Sequence, residues 1–177
     1  MTNILIVTAF IICMALLFWL DRKGKKEKSE AERIYNEIFK IFSNVKWDMP
    51  FGKIREIFSE KEFVTSEESG KVMGTGYMDK LDGQDAFVSF YFPKSGEDKL
   101  VRTDLYLIGM SPKESALVFD RFIQNHGTTT AQNDAQQKSG SWHLGNSILL
   151  VDGSEEGEFQ IQLWNREFYD KVNEEAK

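Results

Sequence analysis

The sequence predicts an α+β fold: an N-terminal transmembrane helix, then an antiparallel sheet of about five to seven strands with two to four helices packed on it. Three observations carry this reading. Residues 1–20 hold no charged side chain, although the 177-residue chain has 22 Lys and Arg and 28 Asp and Glu. Apolar residues recur at helical spacing from Ile34 to Phe58. From Val72 onward they alternate, or cluster as β-branched and aromatic runs, between Gly- and Pro-containing turns.

Residues 1–20 read as a transmembrane anchor. Ile4 to Leu20 is a run of seventeen residues with Thr8 as its one hydroxyl-bearing member. As a helix it spans about 26 Å, close to the roughly 30 Å hydrocarbon core. A cleaved signal peptide needs cations before the run and small residues after it. Residues 1–3 contain no Lys or Arg, and the run leaves through Phe18-Trp19-Leu20-Asp21-Arg22. Cys13 follows Ile11 and Ile12, where a lipobox requires a small residue, so it reads as a packing or lipid-facing thiol. Trp19 is expected near the interface.

Residues 21–28 form a basic juxtamembrane collar, with Arg22, Lys23, Lys25, Lys26 and Lys28 against Asp21 and Glu27. By the positive-inside rule the C-terminal domain lies in the cytoplasm of a single-pass cell-membrane protein. Removing the collar's five cations and two acids from the chain's 22 and 28 leaves 17 and 26, a net of minus nine for residues 29–177. A domain of that charge repels nucleic acid, which is excluded as a partner. The bilayer, reached through the N-terminal helix, and an unidentified protein remain as expected partners. Hydrophobic residues at 41% with three prolines exclude a disordered or collagenous chain, and a single cysteine excludes a disulfide scaffold or cysteine zinc site.

Residues 29–177 read as one globular domain. Ser29-Glu30-Ala31-Glu32 is a capping box that opens a helix over about 30–44, with Ile34, Tyr35, Ile38, Phe39, Ile41 and Phe42 as its stripe. A short second helix begins near Pro50, capped by Asp48 or Met49, with Phe51, Ile54, Ile57 and Phe58 inward. Strands follow at Val72–Met78, Ala86–Phe92 and Val101–Ile108, separated by Asp82-Gly83 and Pro93-Lys94-Ser95-Gly96. The glycines of Gly74-Thr75-Gly76 suggest a bulge. In the third strand Val101, Thr103, Leu105 and Leu107 face inward while Arg102, Asp104 and Tyr106 are wet or partly covered.

Ser111-Pro112-Lys113-Glu114 then opens the best-marked helix of the chain, which ends at Asn125-His126-Gly127. Thr128 to Ser139 reads as an exposed loop or edge strand. Ser141–Leu144, Ser147–Val151 and Glu158–Trp164 give further hairpins, and residues 167–175 a short closing helix. Met49-Pro50 and Met110-Ser111-Pro112 each lead a helix into strands, a faint helix-plus-meander duplication.

No catalytic or metal residue and no cofactor is assigned. His126 sits at a helix C-terminus, where a cation complements the dipole. His143 with Ser141 or Ser139 and Asp152 forms a hydrolytic trio on paper, but the Gly-x-Ser-x-Gly elbow is missing. The acidic turns at Asp79, Asp82 and Asp85 and at Asp152, Glu155, Glu156 and Glu158 lack the EF-hand pattern. Candidate binding residues are Trp164, Gln160 and Gln162, with Tyr106 and Arg102, because an outward Trp, Tyr and Arg surface is a common binding hot spot. The expected function is therefore a membrane-tethered, non-enzymatic protein-binding module. An immunity or inhibitor-type protein is one version and an accessory subunit another. The alternative is a small membrane-bound hydrolase using His143 with a nearby carboxylate.

Overall fold

The computed structural model describes residues 2–66, 72–93, 98–128, 139–153 and 157–175, with the side chains of α1 described from Leu16 onward except Phe18. Among these are four helices and seven strands, and the strands form one antiparallel sheet of order β1-β2-β3-β4-β7-β6-β5. The α+β class is as the sequence predicts.

Helix α1 runs without a break from Thr2 to Ser43, where the sequence suggests an anchor, a collar and a separate helix. The capping box at Ser29 is bypassed. One mid-helix glycine, Gly24, costs about 1 kcal/mol relative to alanine. The i,i+4 pairs Asp21–Lys25 at 2.7 Å and Lys26–Glu30 at 3.6 Å flank it, and no proline interrupts the run. Docking on α3 completes the continuity, through Lys113–Glu27 at 2.6 Å and Arg121–Glu32 at 3.0 Å. Among the described residues no helix is long and apolar enough to cross a membrane. The side chains of the expected anchor lie outside the described residues apart from the exposed Leu16, Leu17, Trp19 and Leu20.

Helix α2 (Phe51–Ile57) starts one residue later than its sequence signals suggest. Pro50 is the N-cap and makes no side-chain cap bond. The Phe51 N–H donates instead to Asp98 Oδ1 at 3.0 Å, a cap supplied from 47 residues away. Strand β1 (Val64–Ser66) is an element the sequence reading omits, and it pairs with residues 74–76 of β2.

Strands β2 (Val72–Leu81) and β3 (Gln84–Pro93) meet at a two-residue turn. Asp82 (φ 48°) and Gly83 (φ 87°) are both left-handed, as the primed hairpin turn requires. Their register is unbroken from Val72 to Leu81, so the expected bulge at Gly74-Thr75-Gly76 is absent. Gly76 is needed for close approach: a Cβ there would collide with the Val88 carbonyl oxygen and meet the Phe87 ring at 2.9 Å.

Strand β4 (Arg102–Met110) leads into α3 (Pro112–His126), whose capping box at Ser111 and C-cap at Gly127 form as expected. Strands β5 (Ser139–Leu144), β6 (Ser147–Asp152) and β7 (Gly157–Asn165) form a second meander, and α4 (Arg166–Glu175) closes the described chain. The greater part of the expected loop, 129–138, lies outside the described residues. Each half thus runs helix then meander, and the last strands of the two halves, β4 and β7, pair with each other.

Helices α1, α2 and α3 cover one face of the sheet. Tyr77, Val88, Phe90, Leu105, Leu107, Phe159, Ile161 and Trp142 meet Ile34, Ile38, Ile54, Val118 and Phe122 in one core. Period-two alternation sends the other residues of each strand to the opposite face, on which α4 is the one helix packed among the described residues.

Candidate functional site

The open face is built in rows across the sheet. Register pairs align Tyr91, Arg102, Trp164 and Ile148 in one row, Ser89, Asp104, Gln162 and Leu150 in the next, and Phe87, Tyr106, Gln160 and Asp152 in a third. All five candidate binding residues, Arg102, Tyr106, Gln160, Gln162 and Trp164, therefore lie on one contiguous surface of β4 and β7.

Arg102 is the centre of the first row. Its guanidinium stacks 3.6 Å from the Tyr91 ring centroid and 4.7 Å from that of Trp164, within the range of cation–π attraction. Its Nε lies 3.0 Å from Asp104 Oδ1. The sequence suggests that Arg102 and Asp104 are wet, but they are 9% and 0% exposed. The flanking aromatic rings and α4 account for the cover. Phe168 packs on Tyr91 and Val101, and Tyr169 meets the Trp164 ring edge-on at 5.4 Å. Arg102 is thus a positioning element beneath the surface, held flat between two rings.

Tyr106, Gln160, Gln162 and Trp164 stay half-buried and reach the surface. Gln160 Nε2 donates to the Tyr106 hydroxyl at 2.6 Å, which leaves its Oε1 and second N–H. Trp164 Nε1 donates to Gln162 Oε1 at 3.0 Å, which leaves the Gln162 amide N–H groups and a second lone pair. One amide is thus fixed as a donor and the other as an acceptor. Beside them a shallow groove of about 390 Å³ is lined by Ser139, Ser141, Leu150, Asp152, both glutamines and Tyr169. Among the described residues its lining includes a carboxylate, hydroxyls and amides. The same face continues toward the β2–β3 turn through the exposed apolar side chains Met78 and Ile108, 57% and 44% exposed.

The hydrolytic trio does not assemble. His143 is exposed and pairs with Ile148, whereas Asp152 pairs with Ser139 at the other end of the hairpin. Four residues of strand between Ile148 and Asp152 correspond to about 13 Å. His143 has no partner among the described residues. No group of three or more His, Cys, Asp or Glu able to hold a metal occurs among the described residues.

His126 differs from the dipole-complementing cation that the sequence suggests. It is half-buried among Phe39, Phe122 and Trp142, and its Nε2 lies 3.0 Å from the Tyr35 hydroxyl. Burial lowers its pKa and pushes that of Tyr35 up to about 12. The pair is therefore a neutral hydrogen bond joining α1 to α3.

Sequence reasoning identified the aromatic and amide residues of the open face but not the groove or the depth of Arg102. The outward alternation of β7 signals the former. The latter depends on α4 and on the β4–β7 register, which nothing local encodes. The chain matches no protein-family model, no curated protein and no solved structure, so its functional reading rests on its own residues.

Proposed function

We propose that this chain is a membrane-tethered, non-enzymatic protein-binding module that engages its partner through the open face of the sheet. The observation that carries the reading is the surface formed by Trp164, Tyr106, Gln160 and Gln162 over the stacked Arg102. Large aromatic side chains held rigid by packing lose little entropy on binding and dominate interface energetics. The adjoining groove adds hydroxyls and the two amides, and residues 29–177 carry a net of minus nine. A partner presenting a Lys or Arg side chain suits that charge. The tether is the uncharged run of residues 4–20, and the five cations after it support a cytoplasmic domain. An immunity or inhibitor-type protein and an accessory subunit of a membrane complex are two forms of this reading. Constant stoichiometry on purification would mark the second.

The test is site-specific photocrosslinking of the full chain in its native membrane. A crosslinker at Gln160 or Met78 on the open face is expected to give one discrete adduct. The exposed position Gln124 on α3 is expected to give none, and Trp164→Ala is expected to reduce the Gln160 adduct strongly at a fixed partner concentration. Equal labelling from all positions, or an adduct indifferent to Trp164, would refute the assignment of the face. A reporter fused after Lys177 that is active only outside the cell would overturn the orientation.

A further inference from the structure

A second groove, of about 560 Å³, lies between α1, the β2–β3 turn and the start of α3. Its walls include Lys23, Lys26, Arg33 and Lys113. Three acids of the same walls are engaged in pairs: Glu27 with Lys113 at 2.6 Å, Glu30 with Lys26 at 3.6 Å and Asp82 with Arg33 at 3.2 Å. The fourth, Glu114, accepts from the Ser111 backbone N–H at 2.8 Å and from its hydroxyl at 2.6 Å. Lys23 has no carboxylate partner there, and its Nζ lies 5.3 Å from the Trp19 ring centroid.

The continuity of α1 converts residue number into height. The apolar run ends at Leu20, so Lys23, Lys26 and Glu27 stand about 5, 9 and 10 Å beyond it at 1.5 Å per residue. A headgroup layer is about 5–8 Å thick on each side of the hydrocarbon core. Lys23 therefore stands within that layer, and Lys26 and the Glu27–Lys113 pair stand just outside its edge, where a lysine side chain reaches back to it. The helix is also clamped where it enters the domain, because Arg121 donates to the Lys28 carbonyl at 3.3 Å and pairs with Glu32 at 3.0 Å. A rigid helix with no linker does not let the domain swing away from the surface.

We infer that this end of the domain rests on the bilayer and that the groove seats the phosphate of an anionic phospholipid headgroup among Lys23, Lys26 and Lys113. The inference depends on residues 4–20 being an anchor. The domain is acidic as a whole, yet at the end facing the membrane Lys23 and Lys26 of the collar and Lys113 of α3 line one groove whose acids are engaged in pairs or in the α3 cap. The docking also sets the height of the open face. Ser43, at the far end of α1, stands about 35 Å beyond Leu20, and the β5–β6 turn at Asn146 lies beside Phe42, Val45 and Lys46 there. Trp164, paired with Ile148 next to that turn, is at the distal end of the face.

Fluorophores attached to Asp85→Cys and, separately, Asn146→Cys in full-length Cys13→Ser protein test this in vesicles carrying a headgroup-attached spin-label quencher. In vesicles containing phosphatidylglycerol, strong quenching is expected at position 85 and weak quenching at 146. The contrast should shrink in phosphatidylcholine alone. Combined Lys→Gln changes at 23, 26 and 113 should remove the phosphatidylglycerol dependence, and Lys→Arg changes at the same positions should retain it. Equal quenching at the two positions, or a triple Gln variant that behaves like the parent, overturns the docking. Flotation separates the premises: a chain that does not float with the vesicles refutes the anchor, whereas one that floats with equal quenching refutes only the docking.

Discussion

The two faces of the sheet arise from the same alternation of residues but are closed by different means. The helix-covered face buries aromatic and aliphatic side chains against α1, α2 and α3. Phe122 alone meets Tyr35, Phe39, Trp142 and Phe159. Among the described residues the open face has the ten-residue α4 over one end, yet Arg102 and Asp104 are removed from water there. For Arg102 the cover is the Tyr91 and Trp164 rings beside the guanidinium, with Phe168 and Tyr169 of α4 packed on those rings, rather than a full layer. The contrast shows that burial on a sheet is set by what flanks a residue along its row as much as by what lies above it. It also separates the roles: one face supplies stability, and the other holds a rigid surface at a cost in desolvation.

Substitutions can test how far that division holds. Phe122→Ala on the covered face is expected to lose about 3–5 kcal/mol, read from the urea midpoint of the full chain in detergent. A loss below 1 kcal/mol would mean that the core does not depend on α3. On the open face Asp104→Ala leaves a buried guanidinium without its carboxylate and is expected to lose about 3 kcal/mol. The double change Arg102→Met with Asp104→Leu should recover most of this, because a packed apolar pair replaces a desolvated ionic one. A double variant no better than the single would show that the pair itself stabilises the fold.

Trp164→Ala is expected to weaken partner binding by about 2 kcal/mol, roughly thirtyfold, with a smaller change in folding. Titration of crosslink yield against partner concentration measures it, and Trp164→Phe should be intermediate. Ser111→Ala removes the α3 cap and should lower stability by about 1 kcal/mol without changing crosslinking. The smallest effect expected is pH dependence from His126. Burial lowers its pKa below that of the unfolded chain. The stability it contributes is therefore full above about pH 6.5 and declines as pH falls through the folded value. Urea midpoints at several pH values, compared between the parent and His126→Gln, should show a shallower slope in the variant.

Much of this was legible before any coordinates. Asp82-Gly83 marks its turn because aspartate, whose short polar side chain tolerates a left-handed backbone, and glycine accept the two positive φ angles. Ser111-Pro112-Lys113-Glu114 marks the start of α3 because cap and partner lie three residues apart. The outward Gln160, Gln162 and Trp164 follow from strand period alone. Where the reading departed from the structure, the determinant was distant in sequence. The expected cap of α2 was local, whereas the cap present is Asp98. The expected wet side of β4 became buried because Tyr91, Trp164 and Phe168 converge on it from three other elements. The helix start expected at Ser29 failed because docking on α3 rewards an unbroken α1 more than a capping box rewards a new end.

The sequence by itself determined the Asp82-Gly83 turn, the limits of α3, the outward set of β7 and the division of charge into a neutral segment, a basic collar and an acidic domain. Each of these depends on groups within a few residues of one another, where backbone sterics, capping and charge act directly. Only the tertiary structure decided that the two meanders join through β4 and β7, that one helix runs from Thr2 to Ser43, and that Arg102 lies stacked beneath the open face. Those outcomes rest on contacts between segments tens of residues apart, whose energies exist only once the chain has brought them together.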